Sequence, residues 1–221
     1  MSEPNRRQIL DALLERHGRT YAAEAGIRLR RATPAPLFQL LCLSILLSAR
    51  IRADAAVEAA RGLGEAGWTT PAKMASSTWE QRTRVLNESG YARYDESTSR
   101  MLADSVETLD RRYDGDLRRL RDEADHDAQA ERELLQQFTG IGEVGAAIFA
   151  REVQFVWTEQ YPFAAERELA TARQLGLPDD AAGLAGICGG RDEFTRVVAA
   201  LVRCGLADGV EEIRAAAGVA G

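Results

Sequence analysis

Two glycines in the segment 139–146 are spaced in a way that could bind phosphate. Gly140 and Gly142 flank one aliphatic residue, Ile141, and lie between two helical patterns. Glycine permits the tight backbone that turns successive N–H groups outward, and the following helix adds the positive end of its dipole. The spacing therefore predicts a helix–hairpin–helix over residues 134–150 that binds an anion through its backbone.

The other residues of this segment have packing roles in the same prediction. Ile141 is expected to plug the hairpin into the gap between its two helices, and Ala146 to let those helices approach closely. Gly140, Gly142 and Gly145 are the predicted phosphate contacts. The alternative is a short turn between two helices in which the glycines serve only as caps.

The charge of the chain limits how it can bind nucleic acid. The sequence contains 28 basic and 34 acidic residues and has a formal net charge of −6. Affinity for DNA depends on how many phosphates meet a cation rather than on total charge, so DNA would have to contact a local face. Lys73 is the only lysine. Arginine, whose planar fork suits phosphate, supplies the other positive side chains.

The remaining reactive residue types are scattered along the chain. Cys42, Cys188 and Cys204 have no C-x-x-C spacing, so we interpret them as buried thiols in a reducing cytosol, with no disulfide, metal or cofactor. The apolar stretch 37–47 is too short to cross a membrane. The polar residues 1–7 contain no signal-peptide core. We therefore expect a cytoplasmic protein that does not enter the membrane.

The elements that must position the hairpin are predicted to be helical throughout. Alanine, leucine, arginine and glutamate dominate, β-branched runs are scarce, and apolar residues recur at helical spacing. A linker is expected over residues 18–35, and a helix buried on nearly all sides over 37–49. Helices are predicted to begin near residues 6, 37, 54, 71, 78, 95, 116, 128, 143, 165, 178, 193 and 210. No strand is expected, so the predicted fold class is all-α.

Three motifs resemble the helix–hairpin–helix (HhH-GPD) superfamily of base-excision DNA glycosylases, in its endonuclease III-like branch. They are the hairpin itself, the helix end Leu46-Leu47-Ser48-Ala49-Arg50, which is similar to the family's L-L-S-A-Q, and the turn Gly90-Tyr91-Ala92-Arg93-Tyr94. The resemblance covers about residues 6–205. The four cysteines of the family's iron–sulfur cluster have no counterpart here, which implies a branch without the cluster.

The resemblance implies a two-lobed helix–hairpin–helix DNA glycosylase fold. Residues 36–132 would form a helical barrel lobe. Residues 1–35 and 133–221 would form the second helical lobe, which carries the hairpin at 134–150. A lesion pocket would lie between the lobes.

The family's catalytic positions are occupied here by other residue types. The lysine that forms a Schiff base in bifunctional members corresponds to Val144, so lyase activity by that route is not expected. The catalytic aspartate corresponds to Ala165, and the nearest carboxylate is Glu166, with Glu168 and Glu159 behind it. Glu166 is therefore the candidate catalytic residue. The alternative is an acid that is favoured in the first turn of a helix by the dipole.

Arg50 occupies the position of the glutamine that family members push into the duplex beside a flipped base. An arginine can fill this gap, stack and donate hydrogen bonds. The alternative is a solvated arginine at a helix end. The predicted DNA-binding residues are Gly140, Ile141, Gly142, Val144, Gly145 and Arg50.

The function implied by the resemblance is base-excision repair on double-stranded DNA, intact or damaged. The protein would hydrolyse the N-glycosidic bond of a damaged base if it is active, without a metal, a cofactor or lyase activity. A catalytically inactive DNA-binding or lesion-sensing relative is the first alternative, favoured by Val144 and Ala165. A helical interaction module without DNA is the second, favoured by Glu143 and the negative net charge. We expect a monomer associated with the nucleoid.

Overall fold

The computed structural model describes residues 3–218. All secondary structure assigned in this range is helical. This confirms the predicted all-α class. The α-helices are α1 (Glu3–His17), α2 (Tyr21–Glu24), α3 (Pro34–Ser48), α4 (Ala53–Glu65), α5 (Pro71–Ala75), α6 (Trp79–Leu86), α7 (Asp95–Tyr113), α8 (Leu117–Glu123), α9 (Ala128–Leu135), α10 (Glu143–Val153), α11 (Glu166–Gln174), α12 (Ala181–Ile187), α13 (Arg191–Leu206) and α14 (Val210–Ala216). Residues 29–31 and 158–160 form 3₁₀ turns, and residues 87–91 form a π-helical turn.

Side-chain caps fix several helix starts where the sequence predicted them. Thr70 accepts a hydrogen bond from the backbone of Lys73 and is followed by proline at the first helical position. Thr78 and Gln81 form a reciprocal capping box at the start of α6. Asp180 caps α12 by accepting from the backbone N–H of Gly183. These local contacts explain why the helix starts could be predicted from sequence.

Two predicted boundaries differ from the structure. The expected linker 18–35 contains helix α2 and the 3₁₀ turn 29–31. The sequence pattern predicts that the helix beginning near residue 78 ends near Gly90, but the α-helix ends at Leu86 and continues as the π-helical turn. Gly90 has a φ of +81°, a left-handed conformation that interrupts regular helix geometry.

The chain divides into two compact units, one of residues 22–150 and one that combines residues up to 21 with those from 151 onward. This division differs from the predicted lobes, which assigned 36–132 to one lobe and the hairpin at 134–150 to the other. In the structure the hairpin belongs to the central unit, because its turn packs against α3 and α7.

In the central unit, α3 forms the middle of the core. Its side chains are apolar around the whole circumference, so a stable fold must cover all of its faces. Helices α4, α7 and α8 pack against it. The buried residues of α3 are Pro36, Leu37, Phe38, Leu40, Leu41, Cys42, Leu43, Ser44, Ile45 and Leu46.

In the other unit, α13 is the central helix and contacts α1, α11, α12 and α14. Phe194 and Leu201 on α13 and Ile9 on α1 are completely buried. The ring of Tyr161 packs edge-on against Phe194 with the centroids 5.2 Å apart. Within residues 3–218, no helix is both long enough and apolar enough to cross a membrane.

Candidate nucleic-acid interface

The predicted hairpin is present as a compact turn between α9 and α10. After α9 ends at Leu135, the N–H of Phe138 donates to the Leu135 carbonyl at 3.1 Å, and the N–H of Ile141 donates to the Phe138 carbonyl at 3.0 Å. Gly140 has a φ of +89°, a backbone conformation that residues with a side chain rarely adopt. Ile141 is only 4% exposed, so it is the plug that the sequence predicted.

The hairpin lies against helices α3 and α7 with almost no space between them. A Cβ atom at Gly140 would lie 3.0 Å from Met101 Sδ and 3.2 Å from Ile45 Cγ2. A Cβ atom at Gly145 would lie 2.7 Å from Ser48 Oγ. Glycine at these two positions therefore serves close packing inside the central unit rather than direct contact with a ligand.

The side of the hairpin away from the core is exposed. Gly142, Glu143 and Val144 are all exposed, and the Val144 residue retains 66% of its accessible surface. A Cβ atom at Gly142 would meet nothing within 4 Å. Within the first turn of α10, hydrogen bonding inside the protein begins at Ala146, whose N–H donates to the Gly142 carbonyl at 2.9 Å. The backbone N–H groups at 142–144 have no hydrogen-bond acceptor among the residues that the structure describes.

Arg50 lies at the same end of α3 as the hairpin. Helix α3 ends at Ser48, whose hydroxyl faces Gly145, and Ala49 adopts an extended conformation that leads the chain out of the helix. Arg50 is exposed and has no hydrogen bond or ion pair with another described residue. The structure thus gathers the predicted DNA-binding residues at one end of the central unit, although Ile141, Gly140 and Gly145 are packed against the core and can only support the surface.

A further arginine at this end was not singled out by sequence analysis. The hydroxyl of Tyr91 donates to the Leu46 carbonyl at 2.8 Å, which fixes the turn 90–94 beside the last turns of α3. Arg93 is exposed, and its guanidinium lies over the ring of Tyr94 at 5.4 Å from the centroid. The sequence signal that could have identified it is the adjacent arginine and tyrosine in the motif Gly90–Tyr94.

The candidate catalytic carboxylate lies on the surface of the other unit. Ala165 is the N-cap of α11 and provides no side-chain cap, and Glu166 is the first residue of this helix. The Glu166 side chain is 78% exposed and forms an ion pair with Arg173 at 3.6 Å. Arg173 also donates to Asp179 at 3.2 Å. This environment is that of a solvated acid at a helix start.

The neighbouring carboxylate, Glu168, is instead enclosed. Glu168 is 2% exposed and accepts from Arg151 Nη1 at 2.7 Å, and Arg151 itself is 5% exposed. Glu152, also buried, accepts from the backbone N–H of Tyr21 at 3.2 Å. Glu168 is therefore held in a buried ion pair and cannot reach a substrate without breaking it. The acid that acts at a sugar would have to be exposed to that sugar.

The three cysteines are not activated thiols. Burial raises the pKa of Cys42 and of Cys204, and it raises the pKa of Cys188 to about 12, so none of these thiols is readily ionised. Lys73 is exposed on α5. Within residues 3–218 there is no group of three or more His, Cys, Asp or Glu side chains that could hold a metal ion.

Comparison with known proteins gives no relative for this chain. No protein-family model matches it, and neither a curated protein nor a solved structure matches it. The functional argument therefore rests on the geometry of the hairpin and its surroundings.

Proposed function

We propose that this protein binds the phosphate backbone of duplex DNA through the surface formed by Gly142, Glu143, Val144 and Arg50, and that it does so without hydrolysing a glycosidic bond. The observation that carries the proposal is the set of exposed backbone N–H groups at 142–144, at the positive end of the 11-residue helix α10, which have no acceptor within residues 3–218. Such a helix start favours an anion through its dipole and its free donors.

The composition of this surface favours phosphate over bases as the ligand. Gly142 and Val144 offer no side-chain donor or acceptor, and base recognition requires side chains that reach into a groove. The backbone amides contact the phosphate directly, and Arg50 beside them supplies the cation. The open space around Gly142 lets the DNA backbone approach the hairpin closely.

The carboxylates of the other unit are poorly placed to support hydrolysis of a glycosidic bond. Stabilising the positive charge that develops on a sugar requires an anion in a water-excluded site. Glu166 is solvated and paired with Arg173, and Glu168 is held by Arg151. The non-catalytic DNA-binding or lesion-sensing relative is therefore the version of the implied function that these side chains favour. A hydrolysing protein would instead show glycosylase turnover on a damaged base, and the Glu166→Gln substitution would abolish that turnover.

The decisive experiment compares two glycine-to-valine substitutions. Gly142→Val places a branched side chain over the exposed amides, and we expect it to weaken duplex binding about tenfold, as for a lost charge-assisted hydrogen bond. Gly64→Val on α4 is the matched control, because a Cβ atom there also meets nothing within 4 Å. Fluorescence anisotropy with a labelled 20-base-pair duplex measures the affinity, and circular dichroism checks the fold. Equal affinity of the two variants contradicts the proposal.

A further inference from the structure

A cleft lies between three helices of the unit that combines residues up to 21 with those from 151 onward. Its volume is about 530 Å³, within the range of about 300–1,000 Å³ that is typical of ligand pockets. One wall is a face of α11, and the others are the end of α13 and the start of α14. No residue of the hairpin surface lines this cleft, so it is separate from the proposed DNA contact.

The walls of the cleft are fixed by contacts between its helices. Thr171 on α11 is 4% exposed, and its hydroxyl donates to the Arg167 carbonyl at 3.3 Å. A Cβ atom at Gly205 would overlap Thr171 Oγ1, so glycine at this position lets the end of α13 approach α11 closely. Arg214 on α14 donates to the Gln174 carbonyl at 2.5 Å, which ties α14 to the end of α11. The cleft is therefore a packed feature of this unit.

Two opposite charges line the cleft without neutralising each other. Arg167 and Asp208 are both exposed, and neither forms an ion pair with a described residue, so they lie too far apart to pair directly. The other two charged residues of the lining, Arg214 and Glu211, are already paired at 2.7 Å. Within the described part of the chain, the cleft thus offers one cation and one anion to a ligand.

The cleft also presents apolar surface. Leu206, the last residue of α13, is 53% exposed, and among residues 3–218 only Leu206 and Val144 are exposed large apolar residues. Ala170 and Val210, both half-buried, line the cleft with Leu206. Removing such surface from water is favourable. A ligand that fits this cleft therefore carries both charges and apolar groups.

We propose that this cleft binds a short zwitterionic peptide with apolar side chains, whose carboxylate pairs with Arg167 and whose ammonium pairs with Asp208. Arginine binds a carboxylate through two parallel hydrogen bonds. Two residues of extended chain span about 7 Å, so a dipeptide can join two charges that are too far apart to pair directly. Its side chains cover Leu206 and Val210.

The helix dipoles favour the same orientation of the peptide. Arg167 lies in the first turn of α11, where the positive end of the dipole favours a carboxylate. Asp208 follows the end of α13, where the negative end of the dipole favours an ammonium. A nucleic-acid phosphate is less suitable here, because Asp208 and Glu211 would repel it.

The test is isothermal titration calorimetry of the full-length protein with the dipeptide leucyl-leucine. Its N-acetyl derivative lacks the ammonium, and its C-terminal amide lacks the carboxylate, while both keep the two apolar side chains. We expect each blocked form to bind about tenfold more weakly than leucyl-leucine, as for one lost charge-assisted contact. This comparison needs no substitution in the protein.

Substitutions then assign each charge to its partner. Arg167→Gln should weaken leucyl-leucine about tenfold and leave the affinity for the amide unchanged, because the amide offers Arg167 no carboxylate. Asp208→Asn should act in the same way toward the N-acetyl form. Asparagine tolerates the φ of +51° found at Asp208, so the turn is kept. Arg173→Gln is the matched control on α11, because Arg173 pairs with Glu166 and Asp179 and does not line the cleft.

Three outcomes would overturn the inference. One is an absence of saturable binding of leucyl-leucine up to about 10 mM. Another is equal affinity for the dipeptide and its two blocked forms, since the cleft would then be only an apolar surface. The third is a loss in Arg173→Gln as large as that in Arg167→Gln, which would reflect net charge rather than the cleft. The proposed DNA contact stands apart from all three, because the hairpin belongs to the other unit.

Discussion

At the start of α10, Glu143 has opposite effects on folding and on DNA binding. Its carboxylate lies in the first helical turn, where a negative charge stabilises the helix by about 0.3–1 kcal/mol. The same carboxylate is exposed beside the N–H groups that we assign to phosphate. A charge that favours the free helix therefore repels the proposed ligand, and substitution should separate the two effects.

We expect Glu143→Gln to tighten duplex binding about fivefold, because two like charges a few ångströms apart in water repel by about 1 kcal/mol. The free energy of unfolding should fall by less than about 1 kcal/mol, the range of a single charge–dipole interaction. Anisotropy titrations and urea denaturation measure the two effects. Glu65→Gln, an exposed acid on α4 remote in sequence from the hairpin, is the control and should change neither. Unchanged affinity in Glu143→Gln would mean that no phosphate lies at the start of α10.

Among the helices, α10 and α11 are joined by the buried ion pair between Arg151 and Glu168. Arg151 Nε also lies 3.8 Å from Glu152 Oε1, and Arg151 is positioned over the ring of Tyr21 at 5.6 Å from the centroid. Removing one partner of a buried pair leaves an uncompensated charge in a low-dielectric interior. The pair therefore anchors α11, and Ala165 at its start, to Arg151, which belongs to the same unit.

Glu168→Gln should lower the free energy of unfolding by about 3 kcal/mol, the usual cost of breaking a buried ion pair from one side. Glu166→Gln is the matched control two residues earlier, because it breaks a surface pair with Arg173 and should cost less than about 0.5 kcal/mol. Urea denaturation of both variants gives the comparison. Similar losses in the two variants would show that the Arg151–Glu168 pair is not buried in solution.

The N-cap of α11 offers a second test at the level of the helix. Ala165 has the extended conformation of an N-cap residue but supplies no side-chain acceptor. Aspartate is among the best residues at this position, so Ala165→Asp should stabilise the protein by about 1 kcal/mol. Thermal unfolding measures this effect, and Ala165→Asn separates hydrogen bonding from charge.

The same Ala165→Asp variant tests the glycosylase interpretation. Glycosylase turnover in it, measured as alkali-sensitive sites on a panel of damaged duplexes, would support a retained lesion pocket. An absence of turnover in a stabilised Ala165→Asp variant is the outcome that the non-catalytic proposal expects.

For the whole molecule, the excess of acidic residues should make DNA binding weak and only moderately sensitive to salt. The formal net charge is −6, and the hairpin end contributes two arginines that form no ion pair with a described residue: Arg50 beside the amides, and Arg93 in the adjacent turn over the Tyr94 ring. Only cations that meet phosphates release counterions, so the slope of log K against log salt should be about −2. Affinity should then fall about tenfold between 50 and 200 mM salt.

Titrations of the wild type and of Arg50→Ala at several salt concentrations measure this slope. The slope should become about one unit shallower when Arg50 is removed. A wild-type slope as steep as that of a protein with six or more phosphate contacts would require a cationic surface that the hairpin end does not contain.

Several features of this protein could be predicted from its sequence because they depend on near neighbours along the chain. Helical periodicity, the helix starts after Thr70 and Thr78, and the buried position of Ile141 between two glycines all depend on contacts within a few residues. The all-α class and the hairpin turn follow from such contacts. The role of the hairpin and the glycosylase function remain predictions.

Other features were decided only when residues distant in sequence came together. The pairing of Arg151 with Glu168, and the packing of Gly145 on Ser48, join separate helices, so no local pattern indicates them. The same applies to charge: the sequence mixes arginine with acid along α7 and α8, but only the tertiary structure determines which arginines keep a partner. An ion pair depends on a distance of a few ångströms between side chains, and that distance is set by how the helices pack.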